Sequence, residues 1–79
     1  MRIVNTEETG ARIRTKMRGC GVTPTNLADS CCVSSQTVYK WFNGACLPTI
    51  QNLLIISDLC SCTIDELIVT NEEEWYGRV

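Results

Sequence analysis

Apolar side chains recur along this chain at spacings of three and four, in short runs punctuated by single glycines and prolines. That is the periodicity of helices that each bury one face. The first run predicts a helix from about Glu7 to Arg18, with Thr6 as its N-cap and Glu7 and Glu8 near the positive end of its dipole. Ile13, Met17 and Cys20 share one face of it, and the Gly-rich stretch at 19–22 stops it. Thr23-Pro24 is a start signal, a hydroxyl cap followed by proline at the helical position where a missing N–H costs nothing. The second helix, about Pro24 to Cys31, turns Leu27, Ala28 and Cys31 inward.

Cys32, Val33 and Ser34 form a break, and Ser34 caps a third helix from about Ser35 to Asn43. Val38, Trp41 and Phe42 make one apolar stripe on it, and Asn43-Gly44 ends it with residues tolerant of positive φ. Thr49 caps a fourth helix, about Ile50 to Cys60. Its Ile50, Leu53, Leu54, Ile55, Ile56, Leu59 and Cys60 leave so narrow a polar face that the helix is expected at the centre of the core, with Ile55 surplus to it. Thr63 and Glu66 have the spacing of a capping box and open a fifth short helix burying Ile64, Leu67 and Ile68. Residues 70–79 carry no clear pattern; they fray, or Trp75 and Tyr76 fold back.

Composition narrows what such a bundle does. At 79 residues it is one small domain, with no room for a deep catalytic pocket. There is no histidine, no convergent carboxylate pair and no phosphate-cradling loop, so an enzyme is not expected. No run approaches the roughly 18 apolar residues of a membrane span, and the first ten residues lack a signal peptide's apolar stretch, which points to a cytoplasmic address. Six cysteines include a C-C and a C-x-C but no C-x2-C, which is poor zinc-site spacing. They are read as small buried hydrophobes, and no cofactor is expected. The net charge of −2 disfavours a non-specific polyanion binder, yet Arg12, Arg14, Lys16 and Arg18 load the first third with positive charge. Since i and i+2 point apart, these four do not share a face; at most a pair such as Arg14 and Arg18 acts together, and an ordinary solvated face is the expected reading.

A compact pair of helices around a three-residue turn, inside a bundle of about five, is the layout of a helix-turn-helix. The residues sharpen the match. Thr23, Leu27, Ala28, Val33, Ser34, Lys40, Trp41, Asn43, Gly44, Leu47, Pro48, Asn52, Leu53 and the sequence Asp65-Glu66-Leu67 stand where the lambda-repressor-like family of Cro and Xre regulators has the same types. Residues 9 to 69 resemble that family, with 1–8 as an N-terminal arm and helix start and 70–79 as an acidic, aromatic tail. The resemblance implies an all-α, lambda-repressor-like fold and a sequence-specific DNA-binding regulator, a repressor or antitoxin-like protein. Four positions depart from the family. Cys32 and Ser61 replace glycines common there, and Cys32 implies a strained or altered turn. Pro24 replaces a frequent phosphate-binding Gln, and Ser35 a frequent Arg.

On that fold Ala28 lets the second and third helices cross closely, Val33 and Val38 plug the angle between them, and Trp41 packs inward. Ser35, Gln36, Thr37, Tyr39, Lys40 and Asn43 are left to face a major groove about 12 Å wide. Gln36 suits adenine and Thr37 the thymine methyl, while Ser35, Tyr39, Lys40 and Asn43 suit phosphates. Double-stranded DNA and a homodimer are the expected partners, with Ile55, Ile68, Val69, Trp75 and Tyr76 as candidate dimer contacts. Two alternatives stand beside this reading: a protein-interaction module of the same fold, and a regulator whose Cys31, Cys32, Cys60 or Cys62 respond to oxidants or metal.

Overall fold

The computed structural model describes residues 1–72. In chain order these form β1 (Arg2–Val4), α1 (Thr6–Cys20), α2 (Pro24–Cys31), α3 (Ser35–Asn43), α4 (Ile50–Cys60), α5 (Ile64–Leu67) and β2 (Thr70–Glu72). The hydroxyls of Thr23, Ser34, Thr49 and Thr63 cap α2 to α5 as predicted, each accepting the N–H three residues on. The Thr63–Glu66 capping box is complete, with Glu66 Oε2 accepting from the Thr63 N–H at 3.1 Å.

Helix α1 differs from the expectation at both ends. Asn5, not Thr6, is its N-cap, with Oδ1 accepting from the Glu8 N–H at 2.9 Å. The helix runs on through Gly19 to Cys20 and ends where Gly21 takes φ 73°. The same ending recurs on α2, α3 and α4. A residue in the left-handed region (Cys32, Gly44 or Ser61) donates three residues back, and the next residue donates five back, which satisfies the last carbonyls of each helix. Cys32 and Ser61, at φ 57° and 53°, hold the backbone that glycine would hold. In each turn the strain therefore sits on that one residue.

Ile13 and Met17 of α1, Leu27, Ala28 and Cys31 of α2, Val38, Trp41 and Phe42 of α3, and Leu67 of α5 close one core. Helix α4 contributes less than its apolar content suggests. Leu53, Ile56 and Cys60 are buried and Ile55 is half-buried, but Leu54 and Leu59 are exposed and Ile50 is 75% exposed. A helix against one core buries one stripe, so the remaining apolar residues face water. Cysteines divide likewise: Cys31 and Cys60 are buried and Cys62 is half-buried, while Cys20, Cys32 and Cys46 are exposed and do not act as packing residues.

Residues 70–72 do not fray. They pair antiparallel with β1 in the register Arg2↔Glu72, Ile3↔Asn71, Val4↔Thr70. The Met1 ammonium meets Glu72 Oε2 at 2.8 Å. Behind this ribbon Thr9, fully buried, accepts the Val69 N–H at 3.0 Å, and the Asn5 N–H donates to the Val69 carbonyl at 2.8 Å. The two-stranded ribbon was not foreseen beside the helical body, which is otherwise the predicted bundle of five.

Candidate nucleic-acid interface

Helix α3 is anchored from behind. Val38 is fully buried and Trp41 and Phe42 nearly so. Gly10 of α1 lies so close to the end of α3 that a Cβ there would meet the carbonyl oxygens of Trp41 and Phe42, the latter at 2.7 Å. At the other end Ala28 is buried, and its carbonyl accepts the N–H of half-buried Val33 at 3.0 Å. The helix is thus fixed by backbone approach as well as by side-chain packing.

Ser35, Gln36, Lys40 and Asn43 stand exposed on α3. Thr37 is set further in. It is half-buried, and its hydroxyl lies 3.1 Å from that of the capping Ser34. Tyr39 is 49% exposed and meets the Phe42 ring edge-on, with centroids 5.8 Å apart. The six candidate residues therefore share one helix without being equivalent. Gln36, Lys40 and Asn43, at i, i+4 and i+7, form a row opposite the apolar stripe, and Tyr39 and Thr37 flank it.

Beside Tyr39 is a shallow cavity between α1, α3 and the start of α2. Met17, Val22 and Phe42 form its apolar floor, and Arg14, Arg18 and Tyr39 its rim. The Arg14 guanidinium lies 5.6 Å from the Phe42 ring centroid, a cation–π arrangement that holds it in place. Arg12 points elsewhere and donates to the Glu66 carbonyl.

Three of the six thiols are shifted by their surroundings. Burial raises the Cys31 pKa, with Cys32 nearby adding to it. Burial, then the adjacent Cys20 thiol, pushes Cys60 up to about 11. Cys62 is raised by burial and then by Glu66. Such thiols stay protonated near neutral pH, the unreactive form. Among the described residues no group of three Cys, Asp or Glu side chains is placed to hold a metal ion.

Sequence reasoning missed Gly10, Thr9 and Asn5. Gly10 left a signal, since glycine inside a helix is unfavourable unless a close neighbour requires it. Thr9 left none.

A buried-backed helix presenting a polar row after a tight turn is a helix-turn-helix unit. The family model described as helix-turn-helix matches residues 13–67, and the chain belongs to this family, of the Cro and C1 type, whose members are DNA-binding regulators. The fold is similar to that of the restriction-modification controller protein C.AhdI from Aeromonas hydrophila. There the TM-score is 0.69 at 19% identity over 78% of this chain and 94% of that one. It is also similar to the clp gene regulator ClgR from C. glutamicum, with a TM-score of 0.68 at 21% identity over 78% of this chain and 80% of that one. No curated protein matches the sequence significantly. Among the described residues no helix is long and apolar enough to cross a membrane.

Proposed function

We propose that this chain is a cytoplasmic, sequence-specific transcriptional regulator that enters the major groove of DNA with α3, acting as a repressor or antitoxin-like regulator of a small operon. The observation that carries the reading is the exposed row of Gln36, Lys40 and Asn43 on a helix whose opposite face is locked to the core. Gln36 is the base reader, its amide both donating to and accepting from adenine. Lys40, Asn43, Ser35 and Tyr39 set register on phosphates, and the Thr37 methyl has a narrower reach than its neighbours because its hydroxyl is turned to Ser34. The regulators C.AhdI and ClgR, similar in fold, support a regulatory role.

Binding is expected as a homodimer, with two copies of α3 about 34 Å apart on a palindrome. Of the candidate contacts, Ile55, Ile68 and Val69 are partly packed within the monomer, and Trp75 and Tyr76 lie outside the described residues. The exposed Leu47, Ile50 and Leu54 offer a more accessible apolar surface for a second copy.

The test is fluorescence anisotropy with labelled duplex from the chain's own upstream region and with random duplex. Preferential binding to the upstream duplex is expected, and Gln36→Ala should reduce that preference by about 1–3 kcal/mol, roughly 5- to 150-fold. Equal, weak binding to both duplexes that vanishes with salt would reject base reading and favour a protein partner instead.

A further inference from the structure

We infer that Arg14, Arg18 and Tyr39 form a clamp for one backbone phosphate of the DNA strand bordering the groove that α3 enters. This rests on the reading of α3 given above.

Arg14 and Arg18 lie four residues apart on α1 and so share a face, whereas Arg12 and Lys16 lie on another. Both arginines are exposed, and among the described residues neither has a carboxylate partner. They converge with Tyr39 on the rim of the same cavity. Stacking on Phe42 restricts Arg14, so less freedom is lost when it binds. Pro24 also borders the cavity, which places the positive end of α2 at its edge. Two guanidinium forks and a phenol hydroxyl around one concavity match a phosphodiester, which offers two unesterified oxygens and one charge.

The position of the cavity selects the ligand's source. Tyr39 belongs to α3 itself, one residue before Lys40, so the cavity opens along the flank of the proposed reading helix. A strand whose bases meet Gln36 must run its backbone beside that flank. Pro24 provides neither an N–H nor a polar side chain at the start of α2. The clamp supplies from α1 the anchoring that this position lacks.

The experiment measures the salt dependence of duplex binding by the full chain and its variants, with each fold checked by thermal melting. For Arg14→Gln with Arg18→Gln, the slope of log K against log salt should fall by about 1 per subunit. Affinity at low salt should drop about tenfold for upstream and random duplex alike, leaving their ratio unchanged. Arg12→Gln should leave the slope as it is. Arg18→Gln alone, which keeps the Arg14–Phe42 contact, should give about half the change, and Arg14→Lys should keep the slope while losing part of the affinity. An unchanged slope in the folded double variant overturns the clamp while leaving base reading by α3 intact. So does a slope that falls equally in Arg12→Gln, or an altered upstream-to-random ratio. Absence of any duplex binding by the unmodified chain at low salt overturns both.

Discussion

Cys32 and Ser61 hold a backbone conformation in which a Cβ crowds the carbonyl that follows it, at about 1–2 kcal/mol per residue. Both are exposed, and both donate backbone hydrogen bonds that any residue could make. Glycine relieves the crowding but gives the unfolded chain more freedom. Each of Cys32→Gly and Ser61→Gly is therefore expected to stabilise the fold by a net of about 0.5–1 kcal/mol. The two residues cap different helices and share no hydrogen-bond partner, so the gains should add. Urea unfolding would read this as a rise in midpoint at constant slope. An unchanged or lower midpoint would mean that the side chains supply compensation that their exposure does not suggest.

At the scale of elements, α1 sets the pose of α3 through backbone contact at Gly10. A methyl group there would meet the Phe42 carbonyl oxygen at 2.7 Å and its carbon at 2.9 Å, and a peptide group inside a helix cannot yield as a flexible side chain does. Gly10→Ala should destabilise by about 3 kcal/mol despite alanine's better helix propensity. Gly19, in the same helix, has open space where a Cβ would stand. Gly19→Ala should instead stabilise by about 0.5–1 kcal/mol. Thermal melts of the two variants moving in opposite directions would establish that contact with α3, not helix propensity, governs Gly10. The same contrast shows how far the sequence could be read. The starts of α2 to α5 were legible because each is written locally, a hydroxyl three residues before the N–H it accepts. The polar face of α3 was legible from its period. Which apolar residues of α4 would be buried was not, because the helix carries more than one face can hide. Nor was the seating of Arg14 on Phe42, which depends on how α1 crosses α3.

For the molecule as a whole, the ends of the described chain close on each other through residues nearly seventy positions apart. No local pattern announced this, since three-residue strands fall below any readable alternation. Thr9 is the link between ribbon and core: fully buried, it accepts the Val69 N–H at 3.0 Å, while the Val69 carbonyl receives the Asn5 N–H just ahead of α1. Thr9→Val keeps the shape and removes the acceptor, leaving the Val69 N–H without a partner, at about 1–3 kcal/mol. If the ribbon is a satellite of the helical bundle, that loss stays local. Hydrogen exchange would then quicken at Val69 and across the β1–β2 pairs, while the α3 amides keep the protection set by Val38 and Trp41. If the ribbon instead unfolds with the core, protection of α3 would fall by the same factor. DNA affinity separates the two further: a local loss leaves α3 and its flanking arginines in place, so binding by Thr9→Val should match the unmodified chain wherever the bundle is fully folded.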